Sequence, residues 1–267
     1  MTSADAQFAL EIAVETGRAL VDLRASLGPI RDEVQRRNLM DAGDRTAQTI
    51  LARRLVAQRP GDCVLSEEAA DSQDRLVADR VWIIDPLDGT DEFGQGRPDF
   101  AVQVALWQRG NPGAEADVVG SITDAAVVTP ALGEMWSTAS HRIVGPLPTH
   151  RPLRIVVSRS RPPVGLARIL EGVSAELTER GIARLGIEAA NVGSVGAKLG
   201  EVMAGRAEAY LHTGGLHEWD LAAPYACALA HGLVALGPVQ AFNRMPPTTG
   251  PVLIAHPALA EVLAVHR

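Results

Sequence analysis

A chain of 267 residues, 46% of them hydrophobic, exceeds one typical domain and has ample length to bury a core, so one large or two closely joined domains are expected. No apolar run approaches the roughly 18 residues a membrane span requires, and Asp5, Glu11 and Glu15 stand where a secretory pattern would be apolar, which points to a soluble cytoplasmic protein without a membrane partner. The net charge of −7 argues against binding to nucleic-acid polymers, and Cys63 and Cys227, far apart and outside any Cys/His cluster, read as reduced structural thiols and not as a disulfide or zinc site.

From about Ala4 to Leu27 the residues Ile12, Leu20, Leu23 and Leu27 recur at helical spacing, and Gly28-Pro29 supplies a stop. Residues 29–43 read as a polar connection. Ala47, Ile50, Leu51 and Leu55 then form the stripe of a second helix ending at Pro60-Gly61. That places Asp44 in its first turn, where an acid ordinarily just complements the helix dipole. Val64-Leu65 reads as a short strand running into Ser66-Glu67-Glu68, of which Glu68 is expected to face solvent, with a loop behind. The most informative stretch is Val81 to Thr90. Its run Val81-Trp82-Ile83-Ile84 suits a strand covered on both faces, and Pro86, which cannot donate to a ladder, predicts that the strand stops at Asp85. Gly89 permits a positive φ or a close backbone approach, and Thr90 falls where a helix with free N–H groups would begin.

Beyond Glu92-Phe93 and a Gly-rich loop, Phe100 to Trp107 alternates like a half-buried strand. Val118–Val128 and Glu134–Ser137 are predicted as further antiparallel strands, with Gly110-Asn111-Pro112-Gly113 joining two of them. Gly145-Pro146, Pro148 and Pro152 make 138–153 the best boundary, dividing an α+β part over 1–143 from an α/β part over 144–267. Arg154–Val157 reads as a strand ending at Ser158-Arg159-Ser160-Arg161, and Leu166, Ile169, Leu170, Val173 and Leu177 as a helix stripe. Gly193-Ser194-Val195-Gly196-Ala197-Lys198 opens a helix but lacks the spacing of a dinucleotide-binding fingerprint or a P-loop. A strand near Ala207–Leu211 follows, then Glu218-Trp219-Asp220 ahead of a helix with Leu221, Tyr225 and Leu229. Val252–Ala255 and the stripe Leu259, Leu263 close the chain.

Four acids at element ends, Glu67, Asp85, Asp88 and Asp220, come without a His/Cys set, and hard oxygen donors select Mg²⁺ or Mn²⁺ over zinc. Bound divalent ions would make the local field positive and let an acidic chain bind phosphate. Asp85-Pro86-Leu87-Asp88-Gly89-Thr90 resembles the signature of the Mg-dependent, lithium-sensitive inositol monophosphatase-like phosphatases, and Glu67 and Trp219-Asp220 occur in that family's order. The resemblance implies a layered αβαβα sandwich with α+β and α/β parts. It also implies two or three Mg²⁺ ions, replaceable by Mn²⁺: one held by Glu67, Asp85 and the Leu87 carbonyl, a second by Asp85, Asp88 and Asp220. Asp44, Thr90 and Glu67 take the catalytic roles, orienting and deprotonating a water that displaces the leaving group directly.

Leu87, Glu92-Phe93, the Ser158-Arg159-Ser160 turn and the Gly193 to Lys198 stretch look most like the 3′(2′),5′-bisphosphate nucleotidase branch. The implied substrate contacts are Gly89, Thr90, Ser158, Arg159, Arg161, Ser194, Lys198 and Asp220, with Arg159 or Arg161 and Lys198 holding a second phosphate away from the metals. The implied reaction is removal of the 3′-phosphate from 3′-phosphoadenosine 5′-phosphate, giving AMP. Asp91 in place of a frequent basic residue, Arg161 in place of a frequent histidine and the lack of a lysine before Asp44 depart from that branch, so inositol monophosphate and fructose 1,6-bisphosphate stay open as substrates. A catalytically silent metal- or nucleotide-binding relative is the non-enzyme alternative. Relatives are commonly homodimers.

Overall fold

The computed structural model describes residues 3–110, 120–140, 143–236 and 241–266. Ser3 caps the first helix, α1 (Ala4–Leu27), by accepting from the Asp5 amide at 3.1 Å, and Gly28 ends it at φ +67°. The second helix, α2 (Glu33–Gln58), starts well inside the predicted polar connection. Asp32 caps it by accepting from the Gln35 amide at 2.8 Å, and Leu39 and Gly43 are buried, so capping and tertiary packing extend the helix beyond its sparse apolar stripe. Asp44 consequently sits mid-helix and not in a first turn.

Next come β1 (Cys63–Ser66), β2 (Arg80–Asp88), the short helix α3 (Thr90–Gly94), β3 (Ala101–Arg109), β4 (Gly120–Thr129) and β5 (Glu134–Ser137). They form a sheet in the order β1-β2-β3-β4-β5, in which β1 and β2 are parallel and the other neighbours antiparallel. Two expectations change here. Strand β2 continues past Asp85: that residue pairs with Gln103, the ladder resumes with Asp88 opposite Ala101, and the extra residue at Pro86-Leu87 is absorbed as a bulge. Strand β3 is buried on both faces from Ala101 to Trp107 instead of half-buried, because helices cover each side of the sheet. Asn111, Pro112 and Gly113 of the predicted connection, and residues 118 and 119 of the predicted strand, lie outside the described residues.

The second half runs β6 (Leu153–Ser158), α4 (Leu166–Glu179), β7 (Ile187–Val192), α5 (Val195–Met203), β8 (Ala209–His212), β9 (Leu216–His217), α6 (Glu218–Ala230), β10 (Val234–Leu236), β11 (Thr248–Thr249), β12 (Val252–Ala255) and α7 (Ala260–His266). Its sheet has the order β10-β12-β8-β6-β7, with β6 parallel to β7 and β8 and β12 antiparallel to its neighbours, while β9 and β11 make a separate ribbon. Helices α1 and α2 cover one face of the first sheet, where Ile12 and Leu51 meet Trp82, Ile84 and Val104. Its other face, with Val81, Ile83 and Val127, packs on Leu199 and Leu221 of α5 and α6, which in turn meet Val156, Tyr210 and Ile254 of the second sheet. Leu153, Ile155 and Leu253 then face Val173, Leu177 and Leu263 of α4 and α7. The layers are therefore αβαβα, the sandwich expected. No helix among the described residues is long and apolar enough to cross a membrane, and both cysteines are free thiols.

Candidate active site

The parallel register of β1 on β2 ends with Ser66 opposite Ile84, so Glu67 and Asp85 follow side by side where that pairing stops. Asp85 is buried, and its Oδ1 accepts from the Leu87 amide at 3.1 Å, which fixes the bulge through Pro86. One residue further, Asp88 ties the first sheet to the middle helical layer. Its Oδ2 accepts from Ser194 Oγ at 2.5 Å, from the Gly196 amide at 2.7 Å and from Gln103 Nε2. Ser194 also caps α5 by accepting from the Ala197 amide at 3.0 Å. Gly196 permits this approach, since a Cβ there would stand 2.7 Å from that of Ala101. Gly89 adopts φ +89° and turns the chain into α3, as the sequence leads one to expect.

Asp220 is the third residue of α6, and its Oδ2 accepts from the His217 amide at 2.8 Å, so it caps the helix while facing the cleft. Thr90 Oγ1 lies 3.3 Å from Asp44 Oδ1 and 3.0 Å from the Leu87 carbonyl oxygen, two acceptors for its single proton.

Of the residues singled out from sequence, Glu67, Asp85, Leu87, Asp88, Gly89, Thr90, Ser158, Arg161, Ser194, Lys198 and Asp220 line one cleft of about 270 Å³. Asp44 stands behind it and reaches it through Thr90. Arg159 departs from expectation: it does not line the cleft. Its guanidinium donates to Glu92 Oε1 at 2.8 Å, to Asp99 Oδ2 and to the Asn191 carbonyl at 3.3 Å, because two carboxylates in reach satisfy the guanidinium within the protein. Arg161, by contrast, is exposed at the cleft, and its guanidinium has no ion pair among the described residues.

The cleft concentrates negative charge. Burial, then the charges of Asp88, Glu67 and Asp220, pushes the Asp85 carboxyl well up. Glu67 retains solvent-exposed surface at the rim, but desolvation of its carboxyl, followed by Asp220 and Asp88, raises it to about 7. Asp220 is pushed to about 6 by burial and Asp88. Asp44 also reaches about 6 through burial and the charge of Glu68, offset in part by the Thr90 hydroxyl. Lys198 is buried and its pKa is lowered by that burial, against the pull of Asp88, Glu92 and Asp220; it makes no ion pair among the described residues. His212 lines the same cleft with Nε2 2.7 Å from the Gly214 carbonyl, and burial lowers its pKa.

Several contributors escape sequence reasoning. Gln103 is one, although a lone amide between Val102 and Val104 in an apolar strand was a usable signal. His212 is another that lines the cleft; Glu92 and Ser160 line it too, although the sequence marked them only through the resemblance to the nucleotidase branch and not as site residues. A buried network braces it from outside. Glu218 accepts from the Asn243 and Arg244 amides at 2.7 and 2.8 Å, while Arg75 donates to Asn243 Oδ1 at 2.8 Å and to Asp71 Oδ1 at 2.6 Å. The segment that follows Glu67 is thereby joined to the start of the helix that carries Asp220. Asn243, at φ +60°, is the left-handed residue on which the junction turns.

These donors fit a hard divalent cation. All are carboxylate or carbonyl oxygens, the described bonds of Asp88 engage only Oδ2, and the raised carboxyls mark a charge excess that a cation would relieve. Among the described residues no three acid, histidine or cysteine side chains already close around one point.

Fold and cleft together define a class of layered phosphatases, and residues 5–267 match the inositol monophosphatase family, to which the chain belongs. Among curated relatives, a 3′-phosphoadenosine 5′-phosphate phosphatase of Mycobacterium leprae is 43% identical over 267 residues, covering 97% of this chain and 92% of the relative. The protein of that name from Mycobacterium tuberculosis is 42% identical over 255 residues, with 93% and 88% covered. Among solved structures, CysQ from Bacteroides thetaiotaomicron shares the fold with a TM-score of 0.71 at 23% identity, over 95% of this chain and 97% of that one.

Proposed function

We propose that the chain is a Mg²⁺-dependent phosphomonoesterase that hydrolyses the 3′-phosphate of 3′-phosphoadenosine 5′-phosphate, releasing AMP and inorganic phosphate. The observation that carries this reading is that Glu67, Asp85, Asp88 and Asp220 share one cleft with Lys198 and Arg161, two cations left without ion pairs among the described residues. A substrate with two phosphates matches a cleft with two kinds of anion site. The names of the mycobacterial relatives support the same substrate.

In this reading Glu67, Asp85, the Leu87 carbonyl, Asp88 and Asp220 hold two or three Mg²⁺ ions, for which Mn²⁺ substitutes. When bound, the ions supply Lewis-acid polarisation of the phosphoryl group and acidify water. The chain's own groups do the rest. Asp44, raised to about 6, is ionised at neutral pH and can hold the Thr90 hydroxyl proton, which turns a lone pair of Oγ1 toward the attacking water. Gly89, Ser158 and Ser194 shape the wall, with Ser194 acting through Asp88, while Lys198 and Arg161 bind the second phosphate. Residues 1–143 supply Glu67 to Thr90, and 144–267 complete the cleft. The proposed setting is cytoplasmic, consistent with two free thiols, and the proposed assembly is a homodimer.

Phosphate release with Mg²⁺ from matched concentrations of 3′-phosphoadenosine 5′-phosphate, inositol monophosphate and fructose 1,6-bisphosphate tests the substrate. The nucleotide should lead by at least about tenfold in kcat/KM, equivalent to about 1.4 kcal/mol. A smaller lead overturns the assignment.

A further inference from the structure

The cleft that receives an anion contains two acids that metal binding leaves unused: Asp91, whose two oxygens are taken by Arg36 and Gln95, and Glu92. Glu92, the third residue of α3, lines it together with Asp88, Thr90, Ser194 and Lys198. A carboxylate in that position repels phosphate, so its chemistry must serve something else. The backbone clears room for it: a Cβ on Gly193 would lie 2.3 Å from Glu92 Cδ, and one on Gly89 would lie 3.4 Å from Oε2. The side chain is also held in place. Arg159 Nη1 donates to Oε1 at 2.8 Å, and Arg159 is itself gripped by Asp99 and, at 3.3 Å, by the Asn191 carbonyl. Among the described hydrogen bonds from other residues, only Oε1 is engaged; apart from the residue's own backbone amide, the carboxylate has acceptor capacity to spare.

A fixed acceptor beside the phosphate-binding turn is suited to a neutral donor. On a sugar phosphate, the nearest neutral donor is the hydroxyl on the adjacent carbon. We propose that Glu92 is a specificity-determining residue that accepts the hydroxyl vicinal to the scissile phosphate, which is the ribose 2′-hydroxyl if the nucleotide reading above holds. The inference rests on that reading. The same carboxylate disfavours a second phosphate on the adjacent carbon, since two anions would then meet.

The test compares kcat/KM for 3′-phosphoadenosine 5′-phosphate and its 2′-deoxy analogue in wild type, Glu92→Gln and Glu92→Met. Wild type should prefer the ribonucleotide by at least about tenfold, because a site that hydrogen-bonds a hydroxyl rejects the analogue lacking it. Glu92→Gln, which keeps a neutral acceptor, should narrow the ratio, and Glu92→Met should bring it within about twofold. A wild-type ratio near one overturns the proposal. So does a Glu92→Met enzyme that loses activity on both nucleotides equally and keeps the wild-type ratio, since Glu92 would then merely brace Arg159. If Glu92→Met does not fold, an undiminished ratio in the nearly isosteric Glu92→Gln is the overturning result. Failure of wild type to hydrolyse either nucleotide is a different outcome: it removes the substrate reading itself, and this inference with it.

Discussion

Replacing Ser194 with alanine removes two bonds from one buried oxygen. The hydroxyl donates to Asp88 Oδ2 at 2.5 Å and accepts from the Ala197 amide at 3.0 Å. Loss of the helix cap costs about 1 kcal/mol, and loss of a donor to a charged acceptor about 1.5–3 kcal/mol. Asp88 keeps the Gly196 amide at 2.7 Å and the Gln103 amide, so the carboxylate is not stranded and no further burial penalty is added. The sum is about 2–4 kcal/mol, which for a chain of this size lowers Tm by roughly 5–15 °C. Thermal unfolding followed by circular dichroism in EDTA reads this directly, without any contribution from metal. A second consequence follows from geometry. An Asp88 with one anchor fewer samples more orientations, so the Mg²⁺ concentration for half-maximal activity should rise in Ser194→Ala. A Tm within about 2 °C of wild type would refute the claim that this oxygen fastens α5 to the end of β2.

Three further outcomes are expected. In metal-free protein the folded state binds more protons than the unfolded chain between about pH 4 and pH 7, because Glu67 titrates near 7 and Asp44 and Asp220 near 6. Stability in EDTA should therefore fall as pH rises through that window, and saturating Mg²⁺ should flatten the fall; a flat Tm profile in EDTA contradicts the crowding of these acids. Lys198→Met should leave Tm unchanged or raised, since it removes a buried cation without an ion pair, while raising KM for the bisphosphate nucleotide at least about tenfold more than for 3′-AMP. Equal effects on the two substrates would place the second phosphate elsewhere. Asn243→Gly should be more stable than Asn243→Ala by about 1 kcal/mol in urea unfolding, because φ +60° suits glycine and strains alanine; the reverse order would mean that the junction relaxes on substitution.

Features governed by local chemistry were legible in the sequence, and those decided by partners distant in the chain were not. Val81-Trp82-Ile83-Ile84 announced a strand covered on both faces, and the helix carrying Leu166 to Leu177 announced itself by spacing, as did the stripe Leu259 and Leu263, which spans a short 3-10 turn and the start of α7. The early start of α2 did not, since burial of Leu39 and Gly43 depends on the rest of the fold: a Cβ at Gly43 would lie 2.8 Å from Leu87 Cδ2. Edge strand β7, in which the small Ala189 and Ala190 sit between Glu188 and Asn191 with no alternation of apolar and polar residues, has too weak a pattern to stand apart from its flanking turns. In the cleft, the Asp-Pro-Leu-Asp-Gly-Thr string located two of the four acids, Asp85 and Asp88, because its neighbours in sequence are also neighbours in space. The anchoring of Asp88 by Ser194 and Gly196 joins residues more than a hundred positions apart. Arg159 illustrates the same limit: a strand-end arginine meets whichever anion lies closest in the folded chain, and here Glu92 and Asp99 claim it.

The central claim is that four acids gathered at one cleft work through divalent metal to cleave a phosphate ester. Its most direct test is phosphate release from 3′-phosphoadenosine 5′-phosphate by wild type and Asp88→Asn, each in EDTA and in excess Mg²⁺. Wild type should turn over only with metal. Asp88→Asn should fold, as shown by an intact circular dichroism spectrum, and lose at least about a thousandfold in kcat. Turnover in EDTA, or unchanged turnover in Asp88→Asn, would contradict the account.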